Sequence, residues 1–123
     1  MKRVLVILLM LTIVLAGCNN GEKYKKDIDK VYKEQEKLNK EISLFSDKVN
    51  TKIDRDKSNT HVYKDGKVII IGIQLFKKEN KLHYFYYNIK DGKAKFDEEA
   101  DPMKYMKKHD ADYEEENQKV EKK

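Results

Sequence analysis

One tetrapeptide occurs twice in the chain, as Lys64-Asp65-Gly66-Lys67 and as Lys90-Asp91-Gly92-Lys93. Asp-Gly between extended runs is a strong signal for a two-residue type I′ turn. Both central residues there take positive φ, and the resulting twist matches that of paired strands. Each copy lies between runs rich in β-branched and aromatic residues. Residues 60–63 and 68–76 flank the first copy, and residues 82–89 and 94–97 flank the second. A longer charged turn, residues 77–81, joins the two hairpins. The chain is thereby committed to a four-stranded antiparallel meander.

The turns also set the register. They pair Tyr63 with Val68, Val62 with Ile69, Ile89 with Ala94 and Tyr87 with Phe96, and paired residues share a face. One face gathers Val62, Ile69, Ile71, Ile73, Leu75, Phe85, Tyr87, Ile89 and Phe96. The opposite face is less polar than a solvated face normally is. Tyr63, Val68, Ile70, Phe76, Tyr84 and Tyr86 fall on it, and they form a candidate partner patch. The competing expectation is that Met103 and Met106 of the C-terminal segment cover it. Gly72, in mid-strand, marks a bend that curls the sheet.

Upstream of the strands the apolar period is helical. Tyr24, Ile28, Val31, Leu38, Ile42, Phe45, Val49 and Ile53 recur at spacings of three and four, with Gln35 in the one missing position. No Pro or Gly interrupts residues 22–54. The spacing predicts one helix over this stretch, with its stripe on the aliphatic face of the sheet. Phe45 and Ile71 are then expected in one core. A helix of that length reaches about 50 Å, against about 30 Å for the longest strand. The excess is expected at the N-terminal end, residues 24–35, as a solvated stalk. Asp101-Pro102 reads as an N-cap followed by Pro at the first helical position. Beyond that short helix, residues 110–123 carry almost no apolar side chains and read as a disordered acidic tail.

The first eighteen residues give an address. Lys2 and Arg3 precede an apolar run of 13 residues, Val4 to Ala16. Spanning a bilayer takes about 20, so this reads as a signal-peptide core. Leu15-Ala16-Gly17-Cys18 follows at once. The order of these parts resembles the lipobox of bacterial lipoproteins. The resemblance implies cleavage between Gly17 and Cys18, and a covalent diacylglyceryl lipid on the Cys18 thiol. It also implies a protein held at the extracytoplasmic face of the cell membrane. Cys18 is the only cysteine, so no intrachain disulfide competes for it.

The expected organisation is then a signal peptide (1–17), a lipidated cysteine and spacer (18–23), an α+β domain (24–100), and a short helix with a tail (101–123). A long helix followed by a four-stranded meander is similar to the cystatin-like fold. With the lipobox, the chain resembles the small cystatin-like-fold lipoproteins of Gram-positive bacteria, a family of unknown function. That resemblance carries over no catalytic residue.

Chemistry is sparse. At 123 residues the chain is too short for a dinucleotide-binding enzyme or a TIM barrel. Residues 58–93 carry 7 basic and 3 acidic side chains, while residues 94–123 carry 7 and 10. All the basic residues except Arg3 and Arg55 are lysine. Arginine is the residue of bidentate phosphate and base recognition, so nucleic acid is not an expected partner. His61, His83 and His109 show no metal-ligand spacing and read as structural or surface histidines. Asp110, Asp112, Glu114, Glu116, Gln118 and Glu121 mimic calcium-loop spacing, but Glu115 stands where the sharp turn needs glycine. The inhibitory hairpins of eukaryotic cystatins, Gln-x-Val-x-Gly and Pro-Trp, are both missing. No catalytic, metal or cofactor site is therefore expected apart from the lipid on Cys18. The expected role is a non-enzymatic module that binds another envelope protein. Two alternatives stay open. One is a small enzyme or ligand-binding protein of the related cone-shaped fold. The other is an accessory component of an envelope or DNA-transfer assembly.

Overall fold

The computed structural model describes residues 2–117, with side chains from residue 21 onward. Helix α1 (Lys2–Ser43) is followed by β1 (Asn59–Tyr63), β2 (Val68–Ile73), β3 (His83–Lys90) and β4 (Lys93–Phe96). A short α2 (Pro102–Lys108) and a fifth strand, β5 (Tyr113–Glu116), complete the chain. All neighbouring strands are antiparallel, in the order β4-β3-β2-β1-β5.

The hairpins hold the expected register, with Tyr63 opposite Val68, Val62 opposite Ile69, Ile89 opposite Ala94 and Tyr87 opposite Phe96. The second turn is a two-residue loop closed by Lys90 and Lys93, with Asp91 and Gly92 at φ 53° and 71°. The first is wider. Lys64 joins Asp65 and Gly66 at positive φ, and the last strand pair is Tyr63 with Val68. This turn is tied to the helix, since Lys23 Nζ and Tyr24 Oη donate to Asp65 Oδ1 at 2.7 and 2.8 Å. The Lys23 and Tyr24 hydrogen bonds hold the Asp65 carboxyl below its usual range.

The helix ends earlier than its apolar stripe suggests, at Ser43 rather than in the 50s. Ser43 Oγ donates to Lys40 O at 2.6 Å, and Leu44 and Phe45 N–H bond back to Glu41 and Ile42. Serine hydroxyls compete with the helical ladder in this way. The chain then runs alongside the sheet. Val49 bridges Phe76, Asn50 N donates to Leu75 O, and Lys77 N donates to Lys48 O. Val49 and Ile53 thus reach the core from an extended connection, and their spacing of four is a coincidence. Phe45 points away and is 90% exposed, so it does not share a core with Ile71.

The expected stalk is also corrected. Tyr24, Ile28, Val31 and Gln35 are among the most buried residues of α1. Shortening the helix at its C-terminal end removes the need for an overhang at residues 24–35, and β1, β5 and the first turn wrap that end.

The tail expectation fails for residues 113–116. Instead of ending disordered, they pair with β1, Tyr113 opposite Val62 and Glu116 opposite Asn59. Residues 118–123 of the expected tail lie outside the described residues. Glutamate is a poor strand former, so the strand is held by its partners. The open edge of β1 supplies backbone bonds. The Tyr113 ring meets Tyr24 at 6.2 Å, and Arg55 links Asp29 of α1 to Glu115 at 2.8 and 3.3 Å.

Two cores result, one on each face of the sheet. Ile28, Val31, Val62, Ile69, Ile71, Ile73 and Tyr87 pack between α1 and the sheet. Tyr63, Val68, Ile70 and Tyr86 pack on the other face under α2. Gly72 faces Tyr84 across the β2–β3 pair, and a Cβ there would lie 2.5 Å from the Tyr84 ring. The glycine makes room for the aromatic ring rather than marking a bend.

Candidate functional site

Between α1 and the sheet, where an enzyme of this architecture would hold an acid or a base, the polar groups are neutral and bonded to one another. Tyr87 Oη donates to Gln35 Oε1 at 2.7 Å, Gln35 Nε2 to Asn39 Oδ1 at 2.9 Å, and Asn39 Nδ2 to Asn50 O at 3.0 Å. Tyr32 shares a 2.7 Å hydrogen bond with Thr60. Burial pushes the Tyr32 phenol up to about 12 and raises that of Tyr87 as well, so both stay protonated. A buried group of this kind stabilises when every member finds a partner.

The aromatic patch on the other face is covered. Tyr63, Val68, Ile70 and Tyr86 are buried beneath α2, with Tyr84 partly buried beside them. Phe76 does not belong to the patch. Strand β2 stops at Ile73, face alternation lapses there, and Phe76 packs with the helix-side core while its ring meets His83 edge-on. The cover is Tyr105 and Met106, with Met103 left 49% exposed. Tyr105 stands edge-on to both Tyr63 and Tyr86, at 5.1 and 5.2 Å between ring centroids. Its outer side stacks on His109 at 4.0 Å.

Among the described residues Tyr105 Oη is buried without a hydrogen-bond partner. An orphaned buried hydroxyl costs about 1–3 kcal/mol. Tyr105→Phe is therefore expected to be at least as stable as the parent protein, gaining up to about 1 kcal/mol in urea unfolding. A loss greater than that amount would show that the hydroxyl is satisfied in solution.

Two features stay on the surface. Leu44 and Phe45 are 81% and 90% exposed, side by side just past the C-terminal end of α1. The second feature is at the β1–β5 edge. Strand alternation turns Tyr113 and Glu115 toward α1 and sends Glu114 and Glu116 to the other face, where His61 lies. His61 Nδ1 is 3.7 Å from Glu114 Oε1, and one ligand atom from each of His61, Glu114 and Glu116 lies within 4.8 Å of the other two. Spacing in the sequence did not bring His61 to these carboxylates, because the pairing depends on a strand that the acidic composition hid. The available signal was the alternation of acidic residues at Asp112, Glu114 and Glu116, which is a strand period as well as a loop pattern.

Gly17 and Cys18 fall within the helical range Lys2–Ser43, and their side chains lie outside those described. Among the described residues no helix is long and apolar enough to cross a membrane.

A long helix packed on an antiparallel sheet in this connectivity is the cystatin-like fold. Residues 24–117 match the family described as "Domain of unknown function with cystatin-like fold (DUF4467)", and the chain belongs to that family. It is similar to a crystal structure of a DUF4467 family protein from Staphylococcus aureus, at 62% sequence identity and a TM-score of 0.74. The match covers 76% of this chain and 97% of that one. The comparison with curated proteins gave no match.

Proposed function

We propose that the chain is a lipid-anchored protein of the extracytoplasmic membrane face whose cystatin-like domain is a non-enzymatic binding module for another envelope protein. The anchor reading rests on one observation. The only cysteine follows a short apolar run and the small pair Ala16-Gly17, a few residues ahead of the matched domain. Two features support the non-enzymatic part. The helix–sheet interface carries neutral, mutually bonded polar groups, and the buried polar side chains (Gln35, Asn39, Ser58, Asn59, Thr60 and His61) include no carboxylate among the described residues.

The docking element in this reading is Leu44-Phe45 rather than the aromatic patch, which α2 covers. Along α1, Ser43 lies about 38 Å from Cys18 at 1.5 Å per residue. The apolar pair therefore projects at the end of the helix away from the lipid, with Lys40 and Lys48 on either side in the sequence. Such a tip fits an apolar cleft with an acidic rim. A photo-crosslinking amino acid at position 45 is expected to give a discrete adduct with an envelope protein in living cells. The same probe at the buried position 86 should give none. If position 45 also yields no adduct, the domain does not bind through this tip.

A further inference from the structure

We infer that His61, Glu114 and Glu116 form a binding site for a divalent transition metal of the zinc class, shared between β1 and the C-terminal strand β5. This goes beyond the anchoring and docking roles proposed above and does not depend on them. The three residues come from two strands, and the pairing puts them on one face. His61 stands directly opposite Glu114, and Glu116, opposite Asn59, is the next residue on the same face of β5. An imidazole with two carboxylates is a donor set suited to zinc, leaving one coordination position for water or another ligand. Two carboxylates and a neutral imidazole carry a charge of −2, which a divalent cation neutralises.

The distances favour a metal over a direct hydrogen bond. His61 Nδ1 and Glu114 Oε1 are 3.7 Å apart, beyond the 2.7–3.2 Å range of an N–H···O bond. Donor atoms around tetrahedral zinc lie about 3.3 Å apart, given metal–ligand bonds of ~2.0–2.2 Å. The ligand atoms here lie within 4.8 Å of one another. Both glutamates are exposed and can rotate inward by the difference, while the buried His61 stays fixed against the Tyr84 ring at 6.4 Å. The local charge balance points the same way. Glu115, on the other face of β5, has Arg55 at 3.3 Å. Among the described residues Glu114 pairs only with His61, and Glu116 has no ion pair. A metal at this point would clip the acidic strand to the sheet edge, where its own propensity is weakest.

The test is calorimetric titration of zinc chloride into the full chain in detergent, with Cys18→Ala so that no thiol competes. One zinc per chain is expected. Glu116→Gln and Glu114→Gln should each weaken binding at least tenfold, and His61→Ala should abolish it. His83→Ala should leave binding unchanged, because that histidine pairs with Glu79 at another place on the sheet. Hydrogen exchange supplies a second readout that an ion on scattered surface carboxylates would not move: zinc should slow exchange of the 113–116 amides at least threefold. His61 is buried and its alanine variant can fail to fold, so the two exposed glutamate variants carry the decision. Absence of binding at millimolar zinc would overturn the inference. So would affinity unchanged in both glutamate variants, or exchange in β5 indifferent to zinc.

Discussion

Cys18→Ala is expected to remove all lipid label from the protein and to release it from membranes washed in high salt. The thiol is the only one in the chain, so no second site can take the diacylglyceryl group. Each buried CH₂ of an acyl chain contributes about 0.8 kcal/mol, and one chain alone gives only marginal binding. In the proposed reading two chains on one cysteine account for retention, and their loss should move the protein from one fraction to the other. The apolar run cannot take over, since its 13 residues fall short of the ~20 that span a bilayer. Membrane retention of the mutant after the wash, or labelled palmitate still attached to it, would contradict the anchor.

Ile71→Ala should destabilise the domain by about 2–5 kcal/mol, the usual range for truncating a fully buried isoleucine. Ile71 is completely buried in mid-strand, opposite Thr60 and Phe85 on the neighbouring strands. Total stability of a domain this size is on the order of 5–15 kcal/mol, so the thermal midpoint should fall sharply. Phe45→Ala is the informative companion, because an apolar stripe read from the sequence puts both residues in one core. At 90% exposure, Phe45 has little burial to lose, and its alanine variant should stay within about 0.5 kcal/mol of the parent. Equal losses in the two variants would mean that α1 continues past Ser43 and carries Phe45 onto the sheet.

The hairpins were legible in the sequence because Asp-Gly favours positive φ, a local preference that both turns keep, although the first widens to take in Lys64. Register and the identity of the inner face followed from it, down to Tyr87 beside Phe96. Helix α1 was legible only where its stripe was not imitated by something else. Past Ile42 the apolar spacing persists, but Ser43, Ser46, Asp47 and Asn50 are residues whose side chains compete for backbone bonds. That signal outweighed a stripe with only Phe45, Val49 and Ile53 behind it. Strand β5 was hidden for the opposite reason. Nothing local favours a strand through three consecutive glutamates. It forms because β1 offers an open edge and because Arg55 and Tyr24 wait for Glu115 and Tyr113. The metal cluster inherits that blindness, since His61 meets Glu114 and Glu116 only through this pairing. The aromatic face is legible from strand alternation up to Ile70, Tyr84 and Tyr86 but not at Phe76, which packs on the helix side beyond the end of β2, and the cover over that face is Tyr105 of the same chain.

Mass spectrometry of the protein extracted with detergent from the cells that make it tests the proposed lipid anchor most directly. Tryptic digestion should yield the N-terminal peptide Cys18-Asn19-Asn20-Gly21-Glu22-Lys23, carrying the mass of a thioether-linked diacylglyceryl group on Cys18 and no residue from positions 1–17. A peptide that runs unbroken across Gly17 and Cys18, or one that begins at Cys18 with a free thiol, would contradict it.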